Sequence, residues 1–118
     1  MKNKIFLAVD FDGTIANKVD GQLILIDGAK EAMQKFRDAN CYILIDSSRA
    51  NSYRKKEGTV ERSLNEMKDF LNTNQIAYDA IAGLTFKIDG KPISDFYVAH
   101  NNITMTTWSD VIQKILGV

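Results

Sequence analysis

A short apolar run, Ile5–Val9, leads directly into the sequence DFDGT, which begins at Asp10, and this junction constrains the fold more than any other part of the chain. An apolar run closed by glycine is typical of a buried β-strand. If strand geometry persists, Asp10 and Asp12 lie on one side, where like charges repel unless a cation joins them. Gly13 permits a sharp turn, and Thr14 offers a hydroxyl and an N–H. The junction predicts a divalent-metal site at a strand end; the alternative is an ordinary turn with a capping aspartate.

Strand-like and helix-like segments alternate along the rest of the chain. Asp20-Gly21 separates two apolar runs and predicts a hairpin over residues 15–26. Residues 41–45 are apolar throughout, which predicts a second strand that is central and covered on both faces. The basic, polar stretch at residues 50–58 is typical of a loop. The remaining predicted elements are a helix between a capping Asp27 and Asn40, a helix from Thr59 that ends within Asn72–Gln75, a short strand at Ala80–Ala82, a strand at Phe96–Ala99 and a helix at Thr104–Leu116.

This order of elements predicts an α/β domain in which helices cover a parallel sheet. We expect one three-layer domain over all 118 residues, with the first strand lying between the second strand and Phe96–Ala99. Ligands of such sheets bind at the carboxyl ends of the strands. Asp10, Ser47 and the residues after Ala99 should therefore meet at one edge.

Charge and cysteine content limit the classes of partner. Fifteen basic residues balance fifteen acidic ones, so bulk electrostatics favour neither nucleic acid nor an anionic membrane. Any affinity for phosphate must then be local. The single Cys41 cannot form an internal disulfide, and no apolar stretch approaches the length of a membrane span or a signal sequence. A cytoplasmic location is expected.

The DFDGT sequence directly after the first strand resembles the first motif, DxDGT, of the haloacid dehalogenase (HAD) superfamily of phosphohydrolases. Ser47, after the second strand, resembles the second motif, and Lys91-Pro92 before a strand resembles the third. Residues 89–98 are similar to a segment of small HAD proteins linked to capsular polysaccharide biosynthesis. The resemblance covers nearly the whole chain. It implies a Rossmann-like parallel sheet with a minimal cap, in which the hairpin at residues 15–26 is a small flap.

The resemblance also implies roles for individual residues. Asp10 would attack phosphorus to form an aspartyl phosphate, while Asp12 would protonate the leaving group and then activate water. Mg²⁺, Ser47 and Lys91 would stabilise the charge on the phosphoryl oxygens. Lys87 is the alternative candidate for this lysine. We favour Lys91, because the proline that follows it fixes the turn into the strand.

Substrate recognition is less constrained by the sequence. Gly13, Thr14, Ser48 and Arg49 are the candidate substrate-binding residues. Arg49 can make a bidentate phosphate contact beside the second motif; the alternative is an ordinary arginine in an exposed loop. The segments available for a cap are short, so the site is expected to be open to a sugar phosphate, a nucleotide or a phosphorylated end of a macromolecule. A second subunit could also cover it, and the oligomeric state stays open.

The chain departs from the family at the fourth motif. Its strand normally ends in one or two aspartates that complete the magnesium site, but the matching residues here are Ala99 and His100. Histidine nitrogen is a poor ligand for Mg²⁺. The metal would then be held by Asp10, by a backbone oxygen of Asp12 and by an amide of Asn101 or the residue after it. We therefore expect weak Mg²⁺ binding, a softer ion or no metal.

Three functional classes follow from these residues. The first is a metal-dependent phosphatase, favoured by Asp10, Asp12, Ser47 and Lys91. The second is a catalytically degenerate relative that binds phosphate or regulates, favoured by the missing acid. The third is a receiver-type signalling domain with Asp46 as the phosphoacceptor, which fits badly because a receiver has no use for the Gly-Thr turn.

Overall fold

The computed structural model describes residues 5–47, 59–82, 95–98 and 108–117. In these ranges the chain forms six strands and three helices. In chain order they are β1 (Phe6–Val9), β2 (Ala16–Val19), β3 (Gln22–Leu25), α1 (Ala29–Asp38), β4 (Tyr42–Ile45), α2 (Thr59–Thr73), β5 (Ala80–Ile81), β6 (Phe96–Val98) and α3 (Trp108–Leu116).

Four strands form a parallel sheet in the order β5-β4-β1-β6. Strand β1 pairs in parallel with β4 on one side and with β6 on the other. This confirms the prediction that the first strand lies between the second strand and the strand near residue 96. Val9 is level with Ile45 and with Val98, so the carboxyl ends of the three strands lie at one edge. The short strand predicted near Ala80 is also confirmed, since β5 pairs in parallel with β4.

Both faces of the central strands are buried. Leu7, Ala8 and Val9 are fully buried, as the continuous apolar run predicted. One face, with Leu7 and Val9, packs against apolar residues of all three described helices. On the other face, Leu44 packs with Ala80 and Ala82 and with the stacked rings of Phe6 and Tyr42. Because the described helices all belong to the first face, the third layer stays a prediction.

The predicted hairpin is confirmed as the antiparallel pair β2–β3. Its two-residue turn has positive φ at Asp20 and at Gly21, the geometry that aspartate and glycine favour between two strands. The Lys18 ammonium lies 3.2 Å from the Glu66 carboxylate on α2, but both side chains are largely exposed, so the ion pair contributes little stability. Whether this hairpin acts as a flap stays a prediction.

The expected capping of α1 by Asp27 is wrong. The helix begins at Ala29 after Gly28, which has φ 87°, and no described side chain caps it. A β-carbon at residue 28 would lie 3.3 Å from the β-carbon of Trp108, so glycine allows α3 to approach the start of α1. The predicted end at Asn40 is confirmed: Asn40 has φ 66°, and the next N–H donates to the Phe36 carbonyl at 2.9 Å.

The other two helices also follow the predicted apolar patterns. After α2 ends at Thr73, Gln75 has φ 55° and the Ile76 N–H donates to the Leu71 carbonyl at 2.9 Å, which closes the helix as predicted. Helix α3 is described from Trp108, and the predicted first turn at residues 104–107 lies outside the described ranges. None of the helices in the described ranges is long and apolar enough to cross a bilayer.

Candidate functional site

Asp10 and Ser47 follow neighbouring strands at the carboxyl edge of the sheet. The Asp10 N–H donates to the Val98 carbonyl at 2.9 Å, which fixes Asp10 at the end of β1 beside β6. The Asp46 N–H donates to the Val9 carbonyl at 2.9 Å and brings the end of β4, including Ser47, to the same place. Asp10 and Asp46 are partly buried, and Ser47 is buried. The structure therefore brings the first and second candidate motifs together as predicted.

A compact turn, rather than a continuing strand, follows Asp10. The Phe11 carbonyl accepts hydrogen bonds from the N–H groups of Thr14, Ile15 and Ala16, at 3.1, 2.9 and 3.2 Å. Gly13, with φ 81°, donates its N–H to the Ala16 carbonyl at 2.8 Å. Because β1 ends at Val9, strand alternation does not determine where the Asp12 side chain lies. The placement of Asp12 depends on this turn, which the sequence signalled only through its Gly-Thr pair.

Thr14 is used differently from the sequence prediction. Its N–H is already engaged by Phe11, and its carbonyl accepts a hydrogen bond from the indole of Trp108 at 3.2 Å. The residue is fully buried, and its hydroxyl has no hydrogen-bond partner among the residues that the structure describes. A buried hydroxyl without a hydrogen-bond partner lowers the stability of the folded protein. A turn with a purely structural role would not require a hydroxyl at this position.

Tyr97 on β6 is a member of this site that the sequence interpretation missed. It is level with Ala8, and alternation along the strands places Asp10 and Asp46 on the same face as Ala8. Burial, the negative charges of Asp46 and Asp10, and a hydrogen bond to Asp46 together raise the pKa of Tyr97 to about 12. The phenol therefore keeps its proton at physiological pH, and its O–H donates a hydrogen bond to the Asp46 carboxylate. In the sequence, strand alternation places Tyr97 on one face of β6, but it does not indicate which residues the phenol contacts there.

Two further aspartates of the sheet have structural roles at its opposite edge. The Asp79 carboxylate accepts a hydrogen bond from the Ile43 N–H at 2.7 Å, and the Asp95 carboxylate accepts one from the Phe6 N–H at 2.7 Å. Arg37 donates to Asp79 at 3.2 Å and to the Tyr78 carbonyl at 2.6 Å. These carboxylates satisfy backbone N–H groups near the starts of β4 and β1. Their role is therefore structural, unlike that of the acids at the carboxyl edge.

The donors at the carboxyl edge match a hard cation in kind. Carboxylate oxygens of Asp10, Asp12 and Asp46 are of the type that Mg²⁺ prefers. Within the described ranges, however, no three histidine, cysteine, aspartate or glutamate side chains are grouped closely enough to hold a metal by themselves. Several predicted site residues lie outside those ranges, namely Ser48, Arg49, Lys87, Lys91, Ala99, His100, Asn101 and Asn102.

Comparison with known proteins supports the fold. No protein-family model matches the sequence, and no curated protein matches it. A conserved protein from Bacteroides thetaiotaomicron of known structure is similar with a TM-score of 0.72 and 19% identity, over 98% of this chain and 92% of that one. The crystal structure of a target protein from Vibrio cholerae is similar with a TM-score of 0.56 and 17% identity, over 93% and 98% of the two chains. At these identities the likeness concerns the α/β fold alone.

Proposed function

We propose that this protein is a phosphohydrolase of the HAD type, which cleaves a phosphate monoester through an aspartyl phosphate on Asp10. The observation that supports this most is the position of Asp10 at the carboxyl end of the central parallel strand, with Ser47 at the end of the neighbouring strand. Open parallel sheets bind their ligands at this edge.

In this mechanism a carboxylate oxygen of Asp10 attacks phosphorus, and the P–O bond to the leaving alcohol breaks as Asp12 gives that oxygen a proton. Water then attacks the phosphorus of the aspartyl phosphate and loses its proton to Asp12. This step releases inorganic phosphate and restores the Asp10 carboxylate. The Ser47 hydroxyl donates a hydrogen bond to a phosphoryl oxygen, and the Lys91 ammonium balances the negative charge of the phosphoryl group.

The family implies a magnesium ion, and the oxygen donors present fit it in kind. Asp10, the backbone oxygen of Asp12 and an amide of Asn101 would hold it. When bound, the ion supplies positive charge to the phosphoryl oxygens. Because residues 99 and 100 are alanine and histidine, this donor set has fewer carboxylates than the family pattern, and we propose that Mg²⁺ binds weakly.

The proposed substrate is a small phosphorylated metabolite such as a sugar phosphate or a nucleotide. The β2–β3 hairpin has only four residues in each strand, so it can act as a minimal cap and leave the sheet edge accessible.

A screen of phosphate monoesters with purified protein tests the proposal, with Mg²⁺, Mn²⁺ and Co²⁺ in parallel. We expect metal-dependent release of inorganic phosphate that Asp10→Asn abolishes. Asp20→Asn is the matched control, because it also removes one carboxylate but lies in the exposed hairpin turn, where asparagine tolerates positive φ. Equal loss in both variants would contradict a nucleophilic role for Asp10.

The second candidate function is a phosphate-binding or regulatory relative without turnover, which the Ala99-His100 sequence favours. In that case inorganic phosphate would bind in a calorimetric titration while no ester in the screen is hydrolysed. Ser47→Ala should then weaken phosphate binding, because the hydroxyl that would donate to the anion is lost.

A further inference from the structure

We propose that Tyr97 is a positioning residue, which holds the Asp46 carboxylate beside Asp10 so that Asp46 supplies negative charge missing from the fourth motif and sets the affinity for Mg²⁺. The inference rests on the metal site of the proposed function. It assigns to this chain an acid directly after β4, in place of the acids that follow the strand corresponding to β6 in the family pattern.

The register of the sheet supports this arrangement. Asp46 lies one residue beyond Ile45, which is level with Val9, so Asp46 and Asp10 are neighbours across β4 and β1. Their side chains share a face with Tyr97, which enters from β6 on the other side of β1. The Asp10 carboxylate at the end of β1 therefore has the Asp46 carboxylate on the β4 side and the Tyr97 phenol on the β6 side.

The size of Ala8 makes the contact between β6 and β4 possible. Adjacent strands lie about 4.8 Å apart, so β6 and β4 are separated by about 10 Å. Tyr97 is level with Ala8, the residue of β1 that lies between these two strands on this face. A small side chain at that position leaves room for the phenol ring to pass across β1 and reach Asp46.

The hydrogen bond also fixes the position of Asp46. The Tyr97 ring has only two side-chain torsions, so it holds the Asp46 carboxylate with little loss of entropy. Two close carboxylates repel each other, and a divalent cation relieves that repulsion. A second carboxylate fixed near Asp10 therefore increases the attraction for Mg²⁺, whether Asp46 contacts the ion directly or through water.

A double-mutant cycle with Tyr97→Phe and Asp46→Asn tests the inference, with Mg²⁺ affinity measured by calorimetric titration. We expect Asp46→Asn to weaken Mg²⁺ binding about tenfold and Tyr97→Phe about threefold. The double variant should bind no more weakly than Asp46→Asn alone, because Tyr97 acts through Asp46. Tyr42→Phe is the control: Tyr42 lies on the same face but stacks on Phe6 at the opposite end of the strands.

The outcomes separate this inference from the proposed function. If the wild-type protein hydrolyses phosphate esters but Tyr97→Phe binds Mg²⁺ like Tyr42→Phe, the inference is wrong and the function stands. If the cycle behaves as expected but no ester is hydrolysed, the function is wrong and the inference stands. Additive losses, or no binding by the wild type at millimolar Mg²⁺, would also overturn the inference. Asp46→Asn keeps the Tyr97 ring in place, so an unchanged affinity in that variant is decisive even if Tyr97→Phe does not fold.

Discussion

Replacing Thr14 by valine should stabilise the protein, because the Thr14 hydroxyl is fully buried without a hydrogen-bond partner among the described residues. Leaving a polar group unsatisfied in this way costs roughly 1–3 kcal/mol. Valine has nearly the same shape and the same branching at the β-carbon, and its extra methyl adds about 0.8 kcal/mol of apolar burial if it fits. Allowing for imperfect fit, we expect Thr14→Val to raise the free energy of unfolding by about 1–2 kcal/mol.

Urea denaturation followed by tryptophan fluorescence measures this change. Trp108 is the single tryptophan, and its indole donates to the Thr14 carbonyl, so its emission reports on this part of the core. For a domain of this size, the expected gain corresponds to a rise of about 4–8 °C in the thermal midpoint. The control is Thr14→Ser, which keeps the hydroxyl and removes a buried methyl, and it should lower stability.

One result would show that the reasoning about stability is wrong, and the phosphate affinity of the same variant then tests whether the hydroxyl belongs to the proposed site. A loss of about 1 kcal/mol or more in Thr14→Val would mean that the hydroxyl is satisfied, for example by a buried water. A gain in stability with unchanged phosphate affinity would mean that the hydroxyl has no part in the proposed site. A more stable variant with weaker phosphate binding would fit a hydroxyl kept for function at a cost in stability.

Four further predictions follow from the described geometry and from the proposed function. Asp10→Asn should abolish phosphatase activity while the thermal midpoint stays the same or rises, because one of several close negative charges is removed; a tenth of wild-type turnover would exclude Asp10 as the nucleophile. Because burial and nearby charge raise the pKa of Tyr97 to about 12, its contribution to stability is complete below about pH 10 and is lost as the pH rises toward 12; unfolding of Tyr97→Phe should depend less on pH in that range. Ala99→Asp or His100→Asp should tighten Mg²⁺ binding about tenfold in calorimetric titrations, and no change in either would mean that the fourth motif is misaligned. Cys41 is buried, and burial raises the pKa of its thiol, so a thiol reagent should react with it only at the rate of local or global opening; rapid reaction in the folded protein would contradict this.

The sheet was predictable from the sequence because its strands are short apolar runs separated by helical patterns. The continuous apolar runs indicated strands covered on both faces, and together with the order of the elements they predicted that β1 lies between β4 and β6. The hairpin turn was equally clear from Asp20-Gly21, because few residue pairs accept positive φ at both positions.

What the sequence did not predict depends on contacts between distant segments. Gly28 at the start of α1 is explained by its approach to Trp108, which lies far along the chain. Tyr97 is part of the site because it hydrogen-bonds to Asp46 across β1, at the level of Ala8, and a three-residue strand gives no sign of such a contact. Thr14 is similar, since its local motif predicts a ligand contact but only the packed structure shows that its hydroxyl is enclosed.

The central position of β1 has a consequence for synthesis of the protein. The strand emerges from the ribosome well before β6, one of its two neighbours; Phe6 and Asp95, which hydrogen-bond to each other, are 89 residues apart. The β1–β4 pair can form before β6 is made, but the other edge of β1 must wait until the chain has grown by the 89 residues that separate Phe6 from Asp95. During that interval an apolar edge with unpaired N–H and C=O groups is open to other nascent chains, so a chaperone that binds extended apolar segments should raise the yield of folded protein.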